Sequence, residues 1–342
     1  SRTKRLVKNM VQTKALVCSG LSEDMSFVQL ESLDLRDPEE KEVLIQVKAA
    51  SVNFPDLLMT KGMYQHKPKL PFVLGMEGSG VVNKIGSKVT KVKEGDEVTF
   101  GAMGKGAFSE YVVVGENSVA IKPSTLNFSE AAAFQTAYLT AYVSLVRRGN
   151  LLKGENLLVH GSTGGVGMAA VQLGKYLGAN VIATGTSEEK LKKTLDWGAN
   201  HYVLTHKDGE VDFRNEVKDL TDGKGADVIY DPVGGDVFDH SIRCINWGGR
   251  ILIVGFASGR IPTLPINMAL IKGFSIVGVR AGEYGRKNPK QGVENNEAIF
   301  KICEEGHFKP YVCKEFSLEQ AKESIHYLSQ RKLVGKVVVT IE

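Results

Sequence analysis

The stretch from Asn156 to Ala179, NLLVHGSTGGVGMAAVQLGKYLGA, constrains the fold of this chain more than any other. Leu157-Leu158-Val159 is an apolar run too short for a helix and bounded by a glycine, which reads as a strand buried on both faces. Gly161, Gly164 and Gly167 come next, at the spacing of a G-x-x-G-x-x-G turn. From Met168 the period changes, and Ala169, Ala170, Val171, Leu173, Tyr176 and Leu177 recur at helical spacing. Strand, glycine turn and helix in that order predict a dinucleotide site on the backbone of Gly164, Gly165, Val166 and Gly167. Glycine lets a pyrophosphate approach, and the helix start favours negative charge. The competing reading is a tight strand–helix turn with no ligand. Asn180–Thr184 then supplies a second strand after one helix, as a right-handed βαβ unit demands.

The residues just after that second strand select the cofactor. An NAD enzyme places Asp or Glu there, to accept hydrogen bonds from the ribose 2′-hydroxyl. This chain has Gly185-Thr186-Ser187, with Lys190 one turn later. Hydroxyls, backbone N–H groups and a lysine suit a 2′-phosphate, so NADPH is the expected cofactor. Glu188 and Glu189 are dissonant, but in the first turn of a helix they complement its dipole.

With 342 residues the chain is long enough for two domains with separate cores. Before the glycine motif it is β-rich. Glu42–Val47 reads as a strand, Ala49–Leu58 leaves the sheet for a helical turn, and glycine-punctuated strands occupy 78–82, 96–100 and 109–114. A helical pattern runs from Ser129 to Leu145. After the second strand come Tyr202–Thr205, Ala226–Asp231, Gly249–Gly255 and Phe274–Val279, which complete six short apolar strands interleaved with helices. That pattern predicts an α/β fold with a doubly wound parallel sheet. Gly282 to Gly292 reads as a linker, 293–305 as a helix, and Gly335–Thr340 as a strand returning to the β-rich domain. The expected division is 11–137 with 291–342, then 138–290, with 1–10 a basic N-terminal extension.

Charge narrows the function classes. Arg2, Lys4, Arg5 and Lys8 account for the whole formal charge of +4, so the remainder is neutral and nucleic-acid binding gains no support. The acid-free tail with Ser and Thr resembles an organelle transit peptide, and mitochondrial import is the expectation, with a cytoplasmic location the alternative. No apolar run approaches the roughly 20 residues of a membrane span. The four cysteines match neither a disulfide framework nor a zinc spacing.

VNFPDLLMTKGMY (52–64), LPFVLGMEGSG (70–80), LTAY (139–142), HGSTGGVG (160–167), DPVGGDVF (231–238), GGRILIVGFASG (248–259) and QRKLVGKVVV (330–339) occur here in a fixed order. In that order the chain resembles the zinc-free quinone oxidoreductases of the medium-chain dehydrogenase/reductase superfamily. The resemblance implies a GroES-like catalytic domain beside a Rossmann domain. Zinc-dependent members put a cysteine where Asn53 stands and a histidine where Met76 stands, and Zn²⁺ wants thiolate and imidazole. No metal is therefore expected. It also implies that Asn53, Asp56 and Tyr64 face the nicotinamide. Val254, Gly255, Phe256, Ala257, Gly278 and Val279 would contact the cofactor, as would Thr140 unless its hydroxyl bonds its own helix turn. Thr205 stands where relatives carry Tyr or His beside the adenosine end, with His206 or Lys207 available to assist. Lys61 replaces a family arginine and keeps the charge. The expected partner is a small-molecule quinone or enone, and the expected state a homodimer or a subunit of a larger assembly. A structural subunit that retains its nucleotide site is the alternative function.

Overall fold

The computed structural model describes residues 10–342, so the basic extension expected at 1–10 lies, all but Met10, outside the described residues. Two compact units divide the chain. The first runs up to Gln135 and resumes at Tyr311–Glu342; the second is Thr136–Pro310.

In the second unit the strands Asn156–Val159, Asn180–Gly185, His201–Leu204, Ala226–Asp231, Ile245–Ile253 and Ser275–Gly278 form one parallel sheet. Taken in the unit's own chain order, they stand 3-2-1-4-5-6. Order reverses beside the first strand, so ligands of such sheets sit at its carboxyl end. Leu157, Leu158 and Val159 are fully buried, as a run without alternation requires. The fifth strand stops at Ile253, short of the expected Gly255. The N–H groups of Val254 and Gly255 turn away to the Asp231 carbonyl, at 3.0 and 3.4 Å.

Three sequence expectations need correction. Gly282 to Gly292 is no linker but helix Ala281–Lys287 and the start of helix Pro289–Glu304. Its glycines let the two helices touch, since a Cβ on Gly292 would stand 3.1 Å from the Gly285 Cα. The second crossing between units consequently falls after Pro310 rather than at 290/291. Helix Pro289–Glu304 stays with the dinucleotide unit because Arg147 donates to Asn295 Oδ1 at 2.7 Å and to Glu294 Oε2 at 3.0 Å. The helix expected from Ser129 to Leu145 is likewise broken into Phe128–Ala132, Gln135–Tyr142 and a π-turn at Val143–Arg148. Hydroxyl back-bonding from Thr140 to the Thr136 carbonyl and from Ser144 to the Thr140 carbonyl accompanies the irregularity.

In the first unit, strand Glu42–Ser51 lies at the centre of a seven-stranded sheet. Glu77–Ile85 pairs along one side of it, while Tyr111–Gly115 and then Lys336–Thr340 share the other. All three pairings are antiparallel. The returning C-terminal strand read from the sequence is thus where it was expected. Ile45, Leu74, Phe100 and Phe108 fill the core beneath this sheet.

Candidate active site

Of the second-unit residues expected to hold a cofactor, Gly164, Thr186, Thr205, Gly255 and Val279 follow the carboxyl ends of strands, while Thr140 lies on the helix Gln135–Tyr142. Helix Gly165–Tyr176 begins at Gly164, which carries no side-chain cap, so its first-turn N–H groups are left for an anion. Gly161 takes φ +57°, a conformation that favours glycine, and packs against Pro232 and Val233. At Gly167 a Cβ would meet the Gly161 carbonyl at 2.1 Å, so the helix lies directly on the loop. These features fit a nicotinamide dinucleotide.

His160 and Asp231, which the sequence reading did not single out, brace this loop. His160 is fully buried, with Nδ1 2.7 Å from Thr184 Oγ1 and Nε2 2.7 Å from Ser241 Oγ. The Ser241 hydroxyl donates to the Val237 carbonyl, so it accepts from Nε2–H, which leaves Nδ1 to accept from Thr184. Burial holds the imidazole far below its ordinary range, at about 3. Asp231 Oδ1 accepts from the N–H groups of Val233 and Gly234 at 2.8 and 2.9 Å, and burial raises its carboxyl.

The 2′-phosphate candidates divide. Thr186 is exposed, while Ser187 accepts from the Lys190 N–H at 3.4 Å and so caps the helix Glu188–Asp196. Glu188 accepts from the Tyr202 hydroxyl at 3.1 Å and is drawn aside. Thr205 donates to the Gly185 carbonyl at 3.2 Å and lies 2.9 Å from His206 Nδ1. Lys207 is committed to Glu216. Thr140 spends its hydroxyl on its own helix, the alternative its residue type allowed. Phe256 and Ala257 are exposed in the loop after the fifth strand, and Val279 is buried after Gly278.

Asn53 and Asp56 sit together in the first unit, at the start of helix Phe54–Thr60. Asp56 is fully buried and accepts from the N–H groups of Asn53 at 2.8 Å and Gly75 at 3.2 Å. Burial pushes its carboxyl up to about 7. The Asn53 carboxamide is engaged on both sides. Its Nδ2 donates to Glu77 Oε1 at 3.1 Å, and its Oδ1 accepts from Lys336 Nζ at 2.6 Å. The sequence reading missed Glu77 and Lys336 as site residues. A signal existed for Lys336, because it is a lone charge opening the buried run Val337-Val338-Val339. Tyr64 is half-buried against the core of this unit, and Lys61 pairs with Glu23 at 3.1 Å.

Known families match both units. The alcohol dehydrogenase GroES-like domain matches residues 39–124, and the zinc-binding dehydrogenase domain residues 165–295. Fold and glycine loop together define a medium-chain dehydrogenase/reductase, an oxidoreductase that uses a nicotinamide cofactor. Within that superfamily the chain belongs to the quinone oxidoreductase family. It is 37% identical over 329 residues to the quinone oxidoreductase-like protein 2 homolog of Nematostella vectensis, covering 95% of this chain and 88% of the relative. A solved Pseudomonas syringae quinone oxidoreductase is 29% identical with a TM-score of 0.84, over 96% of this chain and 99% of that one. A solved NAD-dependent alcohol dehydrogenase is 34% identical with a TM-score of 0.84, over 96% and 100%.

One matching family is described by zinc, so the donors matter. Asn53 offers an amide, Met76 a thioether, and Glu77 a carboxylate held by Asn53 with the Lys336 ammonium 3.9 Å away. That set does not fit Zn²⁺, which takes thiolate, imidazole or an uncommitted carboxylate.

Proposed function

We propose that this chain is an NADPH-dependent reductase of quinones or α,β-unsaturated carbonyls that works without a metal. The observation that carries the reading is the end of the second parallel strand, where Gly185-Thr186-Ser187 replaces a carboxylate and Lys190 lies half-buried one turn on. When bound, the nicotinamide supplies the hydride. Gly165, Val166 and Gly167 offer N–H groups to the diphosphate, while Thr186, Ser187 and Lys190 receive the 2′-phosphate. Tyr64 orients the acceptor or the nicotinamide, and Asp56 fixes the backbone at Asn53 and Gly75. Without a Lewis acid, the acceptor must already be electron-poor, and orientation supplies most of the rate.

Purified protein is expected to oxidise NADPH with ortho-quinones, para-quinones or enones; inertness toward all three would sink the reading. Lys190→Ala should weaken NADPH by roughly 1.5–3 kcal/mol while barely changing NADH, the worth of one charge-assisted contact. Calorimetric titration with both cofactors checks this, and tighter NADH binding by the unaltered chain would overturn the assignment.

The partner is a second copy of the chain. Among the described residues the strand Ser275–Gly278 closes one side of the parallel sheet, with Ile245–Ile253 as its one strand neighbour and the Gly278 carbonyl accepting from Arg148 Nε at 2.9 Å. It carries no charge, although natural edges are usually blunted by one. Leading into it, the helix Asn267–Lys272 and its cap carry Leu270 and Ile266, 81% and 86% exposed, and Trp247, 75% exposed, lies against Gly273. An isologous pairing of two such edges satisfies both backbones and covers both apolar faces. Light scattering should give a dimer that Leu270→Asp with Ile276→Lys reduces to a monomer. A monomeric unaltered chain would refute the pairing.

A further inference from the structure

The first unit buries a positive charge that hydride transfer does not require. Lys336 opens the returning strand and is only 6% exposed, yet its ammonium donates to Asn53 Oδ1 at 2.6 Å and stands 3.9 Å from Glu77 Oε1. Asn53 Nδ2 closes the triangle by donating to the same Glu77 oxygen at 3.1 Å. Sheet register builds the arrangement. Val338 faces Ser51 across one pairing, so Lys336 comes opposite Asn53 just past the end of the central strand. Across the other pairing Ala50 faces Gly78, which sets Glu77 beside the same strand end. Three strand ends thus deliver one amide oxygen, one carboxylate and one ammonium to a single buried point, with the Asp56 carboxyl near enough to act on the Lys336 ammonium.

Burying two ions is costly, and an apolar side chain of similar volume would fill the same space at less expense. An amide oxygen and a carboxylate already aimed at one point explain why the charge is there. We infer that the first unit contains an internal monovalent-cation site, with Asn53 Oδ1 and Glu77 Oε1 as its ligands and the chain's own Lys336 ammonium as its occupant. A small primary ammonium ion from solution takes that place when the lysine is cut back. The inference does not rest on the reading of the reaction, and its test needs no turnover.

Lys336→Ala removes the ammonium and three methylenes, the shape of propylammonium. The variant should melt roughly 10 °C lower, because the buried Glu77 carboxylate loses the ammonium that stands 3.9 Å from it. Propylammonium chloride should restore most of that loss in a saturable manner. Tetramethylammonium chloride at equal ionic strength should not, and neither salt should move the unaltered chain. Equal effects of both salts, or of propylammonium on both proteins, would overturn the site. If Lys336→Ala yields no folded protein, the decision passes to Lys336→Met against Lys336→Met with Glu77→Gln. The charge-free pair should be the more stable, and a double variant no better than the single shows that the ammonium serves packing only and refutes the inference.

Discussion

Gly167→Val is expected to abolish cofactor binding and to destabilise the second unit, whereas Gly164→Ala should leave the fold intact and weaken the cofactor alone. The difference lies in what a new Cβ meets. At Gly167 it would stand 2.1 Å from the Gly161 carbonyl oxygen and 2.6 Å from the Ser162 Cα, both backbone, so loop and helix must separate. At Gly164 the nearest atom is the Gly161 carbonyl at 3.6 Å, an ordinary contact, and the only crowding comes from a ligand lying on the loop. Displacing the first-turn amides of Gly165 and Val166 by an ångström should cost roughly 100-fold or more in affinity for NADPH and NADH alike. Calorimetric titration with a thermal melt separates the cases. Full stability and normal affinity in Gly167→Val would show that the loop does not hold the dinucleotide.

The second large effect is a loss of stability of the second unit in acid, set by His160. Its pKa falls from an ordinary 6.5 in the unfolded chain to about 3 in the fold. The group therefore contributes stability above pH 6.5 that is lost as pH falls toward 3, and the full span is worth about 4–5 kcal/mol. Asp56 acts in the opposite sense. Its pKa rises from 3.8 to about 7, so its contribution is complete below 3.8 and lost as pH climbs through 7. The two nearly cancel in any whole-chain melt, but they belong to different units. Hydrogen exchange in each sheet reads them apart. Protection in the strand Asn156–Val159 should fall between pH 6.5 and 4, while protection in Glu42–Ser51 should rise. His160→Gln should cost about 1–3 kcal/mol at pH 7, through its lost bonds to Thr184 and Ser241, and should remove most of the acid slope. An unchanged slope in that variant would clear His160 of the effect.

Local pattern determined a good deal by itself. A strand buried on both faces needs no alternation, and a helix that lies on a loop needs glycine, so residues 156–179 specified a dinucleotide fold without reference to the rest of the chain. The missing carboxylate after Thr184 is equally local, because it is read from the end of the second strand itself. Short-range periodicity was less informative where glycine serves contact rather than freedom. Gly285 and Gly292 look like a linker in one dimension and prove to be the seam of two helices. Only the tertiary structure decided the centre of the first unit. Asn53 and Lys336 are 283 positions apart, and nothing in either neighbourhood names the other. Their meeting depends on the register of the returning strand against Glu42–Ser51, where a slip of one residue would turn every side chain to the opposite face.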